Sequence, residues 1–406
     1  MSAIEIEGLT DVGPPWTDVR RFGAKVDGVT DDRSAVVAAL AAVAGRGGGT
    51  VYVPTGVCLV RSIRGQRAGV AITASNTTLA GDGPGSILRN DVIEPDGDGN
   101  GVVAILADGR ALDNIRVRDL GLENVGNRYV REGAGLGIVY VAGRCGISGL
   151  TIRGCRIVTR NRTGISFGAF VRDFRIIDND LIGPGETGIY LAGTSLGGFV
   201  ARNRLAGDYP SEAISPGISV RQCRDTVITA NRVEGYHHSA ICVRDNANRN
   251  LIISDNLLRA DFPGAEGITV GSGEGVTIRG NRIDGVAHDG VSVFADRPGK
   301  VRDITIAGND ITAARAYGVS VAGPAAGVVI RGNRLVNCVS GIVVDGAAEY
   351  CDVADNLIYK SPSDGNAGLH IGAPAEGCAL AVRNNRVRGY VNSIAAGVPV
   401  LGNMLE

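Results

Sequence analysis

An asparagine recurs at a nearly constant spacing through more than half of this chain, each time within a short apolar segment. Ten asparagines form the series, and the intervals between them are 24, 28, 25, 25, 28, 24, 23, 29 and 18 residues. They are Asn179, Asn203, Asn231, Asn256, Asn281, Asn309, Asn333, Asn356, Asn385 and Asn403. Self-similarity at such a period is typical of a repeat protein, in which one unit buries its apolar side only when neighbouring units stack on it.

A second motif keeps the same period and consists of a small residue followed by alternating side chains. It reads GISF at 164, GIYL at 188, GISV at 217, AICV at 240, GITV at 267, GVSV at 290, GVSV at 318, GIVV at 341 and GLHI at 368. The alternation predicts short β-strands, and the intervening turns are rich in Gly, Asn and Asp without helical spacing. The sequence therefore predicts an all-β solenoid of parallel strands, with about 12 coils stacked ~4.8 Å apart.

The recurring asparagine has a structural interpretation. A side-chain amide carries both donors and acceptors, so identical residues at one turn of successive coils can bond along a column and also satisfy turn backbone groups. Cys155 occupies the same frame in LTIRGCRIV, which predicts a buried thiol stacked on the column. The other cysteines are expected to be small core residues, because none of the eight belongs to a CxxC pair or a compact metal-ligand spacing.

Composition argues against several classes of protein. The 41 basic and 42 acidic residues nearly cancel, and neither sign forms a long run, so no nucleic-acid partner and no anionic membrane surface is expected. No segment reaches the length of a membrane span. The N-terminus lacks a basic start followed by an apolar run, so the protein as written is expected to be cytoplasmic, or secreted if a signal peptide was removed. Neither a cofactor nor a metal is predicted, since the acidic run at 94–101 has no fixed ligand spacing.

The first 60 residues differ from the repeats. A polar lead-in is expected over residues 1–16, a cap with a helix and the first strands over 17–60, and one coiled domain over 61–406. The helix is predicted to begin at Thr30 or Asp31, where a side-chain oxygen can cap it, and to place its apolar residues on one face.

The run FGAKVDGVTDDRSAVVAAL, followed by GGTVYVP, resembles the N-terminal signature of the pectate-lyase-like, right-handed parallel β-helix superfamily. That group includes polysaccharide lyases, polygalacturonase-like and glucanase-like glycosidases, uronan epimerases and phage tailspikes. The resemblance implies a right-handed single-stranded β-helix whose N-terminal end is covered by a short capping α-helix, and it implies no single reaction. The NTD, DD and GHG constellation of polygalacturonase-like members and the epimerase-type DPHD motif are absent, apart from one DD in the cap.

Loop lengths point to a cleft on one face of the coils. The gap from the asparagine to the next small-residue motif is usually 8 or 9 residues, but it grows to 14 after Asn203, to 11 after Asn256 and to 12 after Asn356. Because the first two of these longer loops flank a short coil, NRVEGYHHSA, they are expected to form the walls of a cleft. Its predicted floor contains Tyr236, His237 and His238.

Stacking in register predicts that charged side chains converge beside this cleft. Glu266 and Asp289 directly precede the motif on adjacent coils, and His238 and His288 lie one position earlier. Two neighbouring carboxylates raise the pKa of one of them and an imidazole titrates near neutrality, so the four residues are candidates for acid/base catalysis. The candidates for substrate binding are Arg221, Arg244, Tyr190, Tyr236, His237 and Glu212.

The sequence thus predicts a carbohydrate-active enzyme of the polysaccharide lyase or glycoside hydrolase type, acting on a uronate-like or polyhydroxylated substrate. A lyase would use His238 as its base, whereas a glycosidase would use Glu266 and Asp289, and an arginine pair would hold a substrate carboxylate. Two alternatives stay open: an intracellular lyase, isomerase or cyclase of small-molecule biosynthesis, and a non-enzymatic, tailspike-like trimer that binds glycans. A homo-oligomer through the last coil, VPVLGNMLE, is also compatible with the sequence.

Overall fold

The computed structural model describes residues 16–63, 65–92, 101–124, 137–159, 163–183, 186–207, 216–245, 248–295, 300–345, 347–362, 366–373, 376 and 379–405. The chain winds into a parallel β-solenoid of about 12 turns, as the repeats predicted. Each regular coil contributes one strand to each of three faces, which we call sheets 1, 2 and 3. Sheet 1 has 13 strands, and sheets 2 and 3 join through two long strands into one sheet of 29.

The strands of sheet 1 carry the small-residue motif. They are Ala68–Ile72, Gly101–Leu106, Gly137–Ala142, Thr163–Phe167, Ile189–Leu191, Ile218–Arg221, Ser239–Arg244, Glu266–Val270, Val291–Phe294, Tyr317–Ala322, Ser340–Val344, Ala367–Ile371 and Val391–Ile394. The small residue is required by a close approach, since a Cβ on Gly267 would lie 2.4 Å from the carbonyl oxygen of Gly290 on the next coil. The following Ile or Val of each strand points inward and stacks on its equivalents in register.

Sheets 2 and 3 share the long strands Thr77–Asn90 and Leu112–Asn124. Sheet 2 also contains Thr17–Asp18, Gly49–Val53, Ile147–Arg153, Val171–Arg172, Arg175–Ile177, Phe199–Ala201, Arg224–Thr229, Arg249–Ser254, Gly273–Arg279, Val301–Ala307, Ala326–Arg331, Glu349–Ala354, Leu380–Arg383 and Val400–Leu401. Sheet 3 also contains Asp27–Asp31, Gly56–Leu59, Arg156–Thr159, Asp180–Ile182, Arg204–Ala206, Arg232–Glu234, Leu257–Arg259, Arg282–Asp284, Asp310–Thr312, Arg334–Val336, Leu357–Tyr359, Arg386–Arg388 and Met404–Leu405.

The asparagine series forms one continuous column at the corner between sheets 2 and 3. In a typical step, the backbone N–H and Nδ2 of Asn256 both donate to Oδ1 of Asn281, at 3.1 and 2.9 Å, and Nδ2 also donates to the Ile228 carbonyl. The same pair of bonds links every member from Asn179 to Asn403. The predicted column is confirmed, and it satisfies the buried polar groups of each corner.

The N-terminal end of the solenoid is covered by the helix Arg33–Gly45, whose buried side includes Val36, Leu40 and Val43. A short 3-10 helix, Val19–Phe22, precedes it. The predicted start of the helix at Thr30 or Asp31 is wrong, because the chain is still a strand there and the N-cap residue is Asp32. The Asp32 carboxylate accepts the backbone N–H groups of Lys25 and Val26 at 2.7 and 2.8 Å, which fixes the turn into the helix. None of the helices in the described part of the chain is long and apolar enough to span a bilayer.

Candidate functional site

The four catalytic candidates, His238, Glu266, His288 and Asp289, lie at the N-terminal ends of neighbouring strands of sheet 1. Ser239 pairs with Glu266, and the Gly267 backbone N–H donates to the carbonyl of Asp289 at 2.9 Å. Glu266 and Asp289 are therefore vertical neighbours, each directly before the glycine of the small-residue motif. His238 and His288 stand one residue earlier on their own coils.

An imidazole lies between two carboxylates at the centre of the site. Nδ1 of His288 is 3.1 Å from Oδ1 of Asp289 and 3.7 Å from Oε1 of Glu266. The exposed fractions differ sharply, at 47% for the His288 side chain, 16% for Glu266 and 4% for Asp289. Ser320 Oγ donates to Oδ2 of Asp289 at 2.5 Å, and the Tyr317 N–H donates to Oδ1 at 3.2 Å. Asp289 is thus a positioning residue behind the imidazole, and the His288 side chain as a whole is partly exposed to solvent.

Both carboxylates have a raised pKa. Burial is the main cause for Glu266; the hydrogen bond from Thr269 opposes it, the neighbouring Asp289 adds to it and His288 opposes it. Burial also raises the pKa of Asp289, against the hydrogen bond from Ser320 and the attraction of His288. A carboxyl group with a raised pKa keeps its proton to higher pH, which is the property required of a general acid near neutral pH.

A chain of hydroxyl groups connects the second imidazole to Glu266. His238 Nδ1 lies 2.7 Å from Ser239 Oγ, which lies 2.6 Å from Thr269 Oγ1, and Thr269 donates to Oε2 of Glu266. A hydroxyl has one proton to donate, and Thr269 uses its own on Glu266, so Thr269 accepts a hydrogen bond from Ser239. Ser239 in turn accepts a hydrogen bond from Nδ1–H of His238. This fixes the neutral tautomer of His238 with its proton on Nδ1.

Sequence reasoning missed these hydroxyl groups. The third position of the small-residue motif holds Thr269, Ser292 and Ser320 on consecutive coils, and these residues pair in register on the outer surface. The signal was present in the repeated pattern GITV, GVSV, GVSV. It was not recognised because Ser and Thr are also ordinary strand residues in a solvated sheet.

His238 should make the protein sensitive to acid. Burial, with smaller contributions from Arg244 and Arg221, lowers the pKa of His238 to about 4. The unfolded chain binds this proton below about pH 6.5, so stability falls as pH drops from 6.5 through 4, by up to about 3 kcal/mol. His238→Asn should make the melting temperature depend less on pH over this interval. His370→Asn removes an exposed imidazole from the same sheet and should leave the slope of melting temperature against pH unchanged. Equal slopes for His238→Asn and the unmodified chain would contradict the burial argument.

Two arginines on adjacent coils form the positive part of the site. Arg221 and Arg244 pair in register at the far end of their strands, and each guanidinium packs over a ring, 5.5 Å from the Tyr190 centroid and 5.7 Å from that of Phe294. Phe294 belongs to the strand that follows Asp289, so the Arg244 side chain extends toward the coil that contains Asp289. Nε of Arg244 is buried and has no hydrogen-bond partner in the described part of the chain. A guanidinium with free donors and a fixed plane suits a carboxylate ligand.

Packing explains how Arg244 reaches this position. The strand Glu266–Val270 lies between the strands of Arg244 and Phe294, and it is followed by Gly271. A Cβ on Gly271 would lie 2.7 Å from the ring of Phe294. The absent side chain therefore leaves room for the aromatic ring to lie across this coil and support the guanidinium.

Tyr236 is not part of the site. It is completely buried, and a Cβ on Gly188 would lie 2.7 Å from its hydroxyl, so the ring fills the interior of the solenoid. The prediction that it lines the cleft floor is wrong. In coils with the usual loop length, the position five residues after a column asparagine points inward, as Val286 and Cys338 also show. Comparing the repeats at this position would have indicated a core residue.

The other predicted binding residues have different surroundings. His237 stacks on Phe262, with ring centroids 3.7 Å apart and an interplanar angle of 22°, and is half-buried at the edge of the second long loop. Burial lowers the pKa of His237. Tyr190 is half-buried beneath Arg221. Glu212, with most of the first long loop, lies outside the described residues.

A cation has one candidate position among the described residues. The ligand atoms of Glu266, His288 and Asp289 lie within 4.8 Å of one another. Carboxylate oxygens with one imidazole nitrogen match the ligand preferences of several divalent metals. The acidic run at 94–101, apart from its last residue, lies outside the described residues.

The architecture agrees with two family models. One, described as "right handed beta helix region", matches residues 216–388. The other, described as "rhamnogalacturonase A/epimerase, pectate lyase-like", matches residues 16–103. These two partial matches agree with the parallel β-helix fold, and the second includes the N-terminal signature.

Two characterised relatives have names that include a polysaccharide, mannuronan or alginate. The chain is 30% identical over 195 residues to mannuronan C5-epimerase AlgE6 of Azotobacter vinelandii, covering 47% of this chain and 21% of the relative. It is 34% identical over 131 residues to alginate lyase 7 of the same organism, covering 32% of this chain and 15% of the relative. These matches span about a fifth or less of the relatives' length.

Two solved structures share the fold over most of the chain. The A-module of AlgE6 has a TM-score of 0.66 at 20% identity and covers 96% of this chain and 99% of the module. DFA-IIIase from Arthrobacter chlorophenolicus A6, in complex with GF2, has a TM-score of 0.64 at 13% identity and covers 86% and 99%. At these identities the likeness shows the fold alone.

Proposed function

We propose that this chain is a carbohydrate-active enzyme that removes the proton α to the carboxylate of a uronate unit, at the outer surface of sheet 1. The observation that carries the proposal is the exposed imidazole of His288, held beside two buried carboxylates on the face that also presents Arg221 and Arg244. The similarity to proteins named for mannuronan and alginate supports a uronate as the substrate class.

Each group has a role in the proposed reaction. Arg244 binds the substrate carboxylate and stabilises the negative charge that develops on it when the neighbouring C–H bond breaks. His288 takes this proton on Nε2, and Asp289 stabilises the resulting imidazolium through Nδ1. Glu266, with its raised pKa, supplies the second proton.

The fate of that second proton decides the product. If Glu266 protonates the oxygen on the adjacent carbon, the C–O bond breaks and a C=C bond forms, which is a lyase reaction. If it instead protonates the carbanionic carbon from the opposite face, the configuration inverts, which is an epimerisation. Both reactions share the first step, and therefore the same base and the same arginine.

The structure favours His288 over His238 as the base. Nδ1 of His238 is bonded to Ser239, and burial lowers the pKa of His238 to about 4, so its imidazole is a weak base. A glycosidase that uses Glu266 and Asp289 fits less well. In the two-carboxylate mechanism both groups flank the scissile bond, whereas the Asp289 side chain is 4% exposed.

Proton exchange gives the most direct test. The chain would be incubated in D2O with mannuronate, guluronate and galacturonate polymers, and with a neutral glucan, each with chelator or with added calcium. We expect deuterium at C5 by NMR, or ultraviolet absorbance of an unsaturated product, with at least one uronan and with no glucan. Hydrolysis of the glucan, or the absence of both signals with every uronan, would refute the proposal. The chelator and calcium arms test the expectation that no metal is required.

A further inference from the structure

We infer that a groove on sheet 3, on a different face of the solenoid from the site on sheet 1, is a second binding site that takes an anionic oligosaccharide. The groove has a volume of about 410 Å³, within the usual range of ligand pockets. Its outer rim and floor are formed by Arg334, Val336, Leu357, Tyr359, Arg386 and Arg388. The inference goes beyond the proposed function, and only the choice of a uronate as the anion rests on it.

Register creates the groove. Arg334, Leu357 and Arg386 pair in one column, and Val336, Tyr359 and Arg388 pair in the next column of the same three strands. The middle strand therefore presents an apolar and aromatic floor, with Leu357 45% and Tyr359 37% exposed. The arginines of the outer strands stand above and below it, about 10 Å apart at two strand spacings.

The charge of the groove has one sign. None of its lining residues is acidic. Arg334 has an ion-pair partner, Asp310 at 2.7 Å, but the guanidinium group of Arg386 has neither a hydrogen-bond nor an ion-pair partner among the described residues. An aromatic ring with adjacent guanidinium groups offers a stacking surface for a sugar ring and bidentate donors for its carboxylate.

A second groove on the same sheet provides an internal comparison. It has a volume of about 280 Å³ and lies on strands nearer the N-terminus, where its lining includes Arg232, Glu234, Arg259 and Asp284. Arg232 pairs with Glu234 at 3.0 Å, and two of the five charged lining residues, Glu234 and Asp284, are acidic. Of these two grooves on sheet 3, only the one around Tyr359 is lined by arginines without any acidic residue.

A second copy of this chain is a poor occupant of the groove. In a twofold symmetric contact, the same surface patch meets itself. Such a contact would bring the arginines of one protomer against those of the other, and like charges across an interface cost several kcal/mol. A short polyanion with rigid rings satisfies both the rim and the floor.

Calorimetry with a mannuronate hexamer tests the inference, with a neutral cellohexaose as the comparison ligand. We expect two binding events on the unmodified chain, and loss of one of them, with binding at least about tenfold weaker, in Arg386→Ala and in Tyr359→Ala. Arg259→Ala removes one charge from the groove of the same sheet that also contains acids, and it should bind as the unmodified chain does. Turnover of the uronan should be unchanged in all three variants.

Three results would overturn the inference. They are unchanged binding in Arg386→Ala and Tyr359→Ala, an equal loss in Arg259→Ala, and a change of molecular mass in solution in the groove variants, which would show a subunit interface. The test is independent of catalysis. Binding in the groove without turnover of any uronan would refute the proposed function alone, and turnover with unchanged groove variants would refute this inference alone.

Discussion

Replacing His288 with alanine is expected to lower the turnover of a uronan by about 10²- to 10⁴-fold, the usual contribution of a general acid or base. His288 is the exposed group of the cluster, and Asp289 and Glu266 lie 3.1 and 3.7 Å from its Nδ1. Because substrate is bound mainly by the arginines in this account, KM should change much less than kcat. Steady-state kinetics on the best uronan would provide both values.

Two further variants make this prediction specific. His370→Ala removes an exposed imidazole elsewhere on sheet 1 and should retain full turnover. Asp289→Asn keeps the shape of the positioning residue but removes the carboxylate behind the imidazole, so it should lower kcat with little change in KM. Equal kcat values for His288→Ala and His370→Ala would remove His288 from the mechanism.

Replacing Asn281 with alanine is expected to reduce stability by about 4 kcal/mol or more, since several buried groups lose their partners together. Its Oδ1 accepts two hydrogen bonds from Asn256, and its Nδ2 donates to Oδ1 of Asn309 and to the carbonyl oxygen of Ile253. The loss should appear as a lower melting temperature and a lower urea midpoint.

The same substitution at the last asparagine is the matched control. Asn403 accepts the same two bonds, from Asn385, but it is half-exposed and has no following column member. Water can replace its contacts, so Asn403→Ala should cost about 1 kcal/mol. Similar losses for the two variants would show that the column is not a buried hydrogen-bonded unit.

The repeats made the fold predictable from sequence. One asparagine frame and one small-residue motif with a common period define the coil, the corner and the register, because each coil buries its apolar side only when aligned with the next. For the same reason, the vertical placement of Glu266 beside Asp289 followed from counting residues. The start of the cap helix did not, since the role of Asp32 depends on a turn that only the folded chain forms.

The details of the site were less accessible. The burial of Asp289 depends on the hydroxyl of Ser320 one coil away, and no local pattern distinguishes a buried acid from an exposed one. Tyr236 was misplaced because a tyrosine next to two histidines suggests a cleft, although its position in the repeat is an inward one. No sequence motif singles out the arginines of sheet 3, and only the register of the folded strands places them around Tyr359.

A crystal structure of the Glu266→Gln variant with a mannuronate oligomer would show whether the substrate binds on sheet 1 between Arg244 and His288. The account predicts a uronate on sheet 1, with its carboxylate bonded to Arg244 and its C5 about 3–3.5 Å from Nε2 of His288. An oligomer bound on sheet 3 alone, or one on sheet 1 with its C5 turned away from His288, would contradict it.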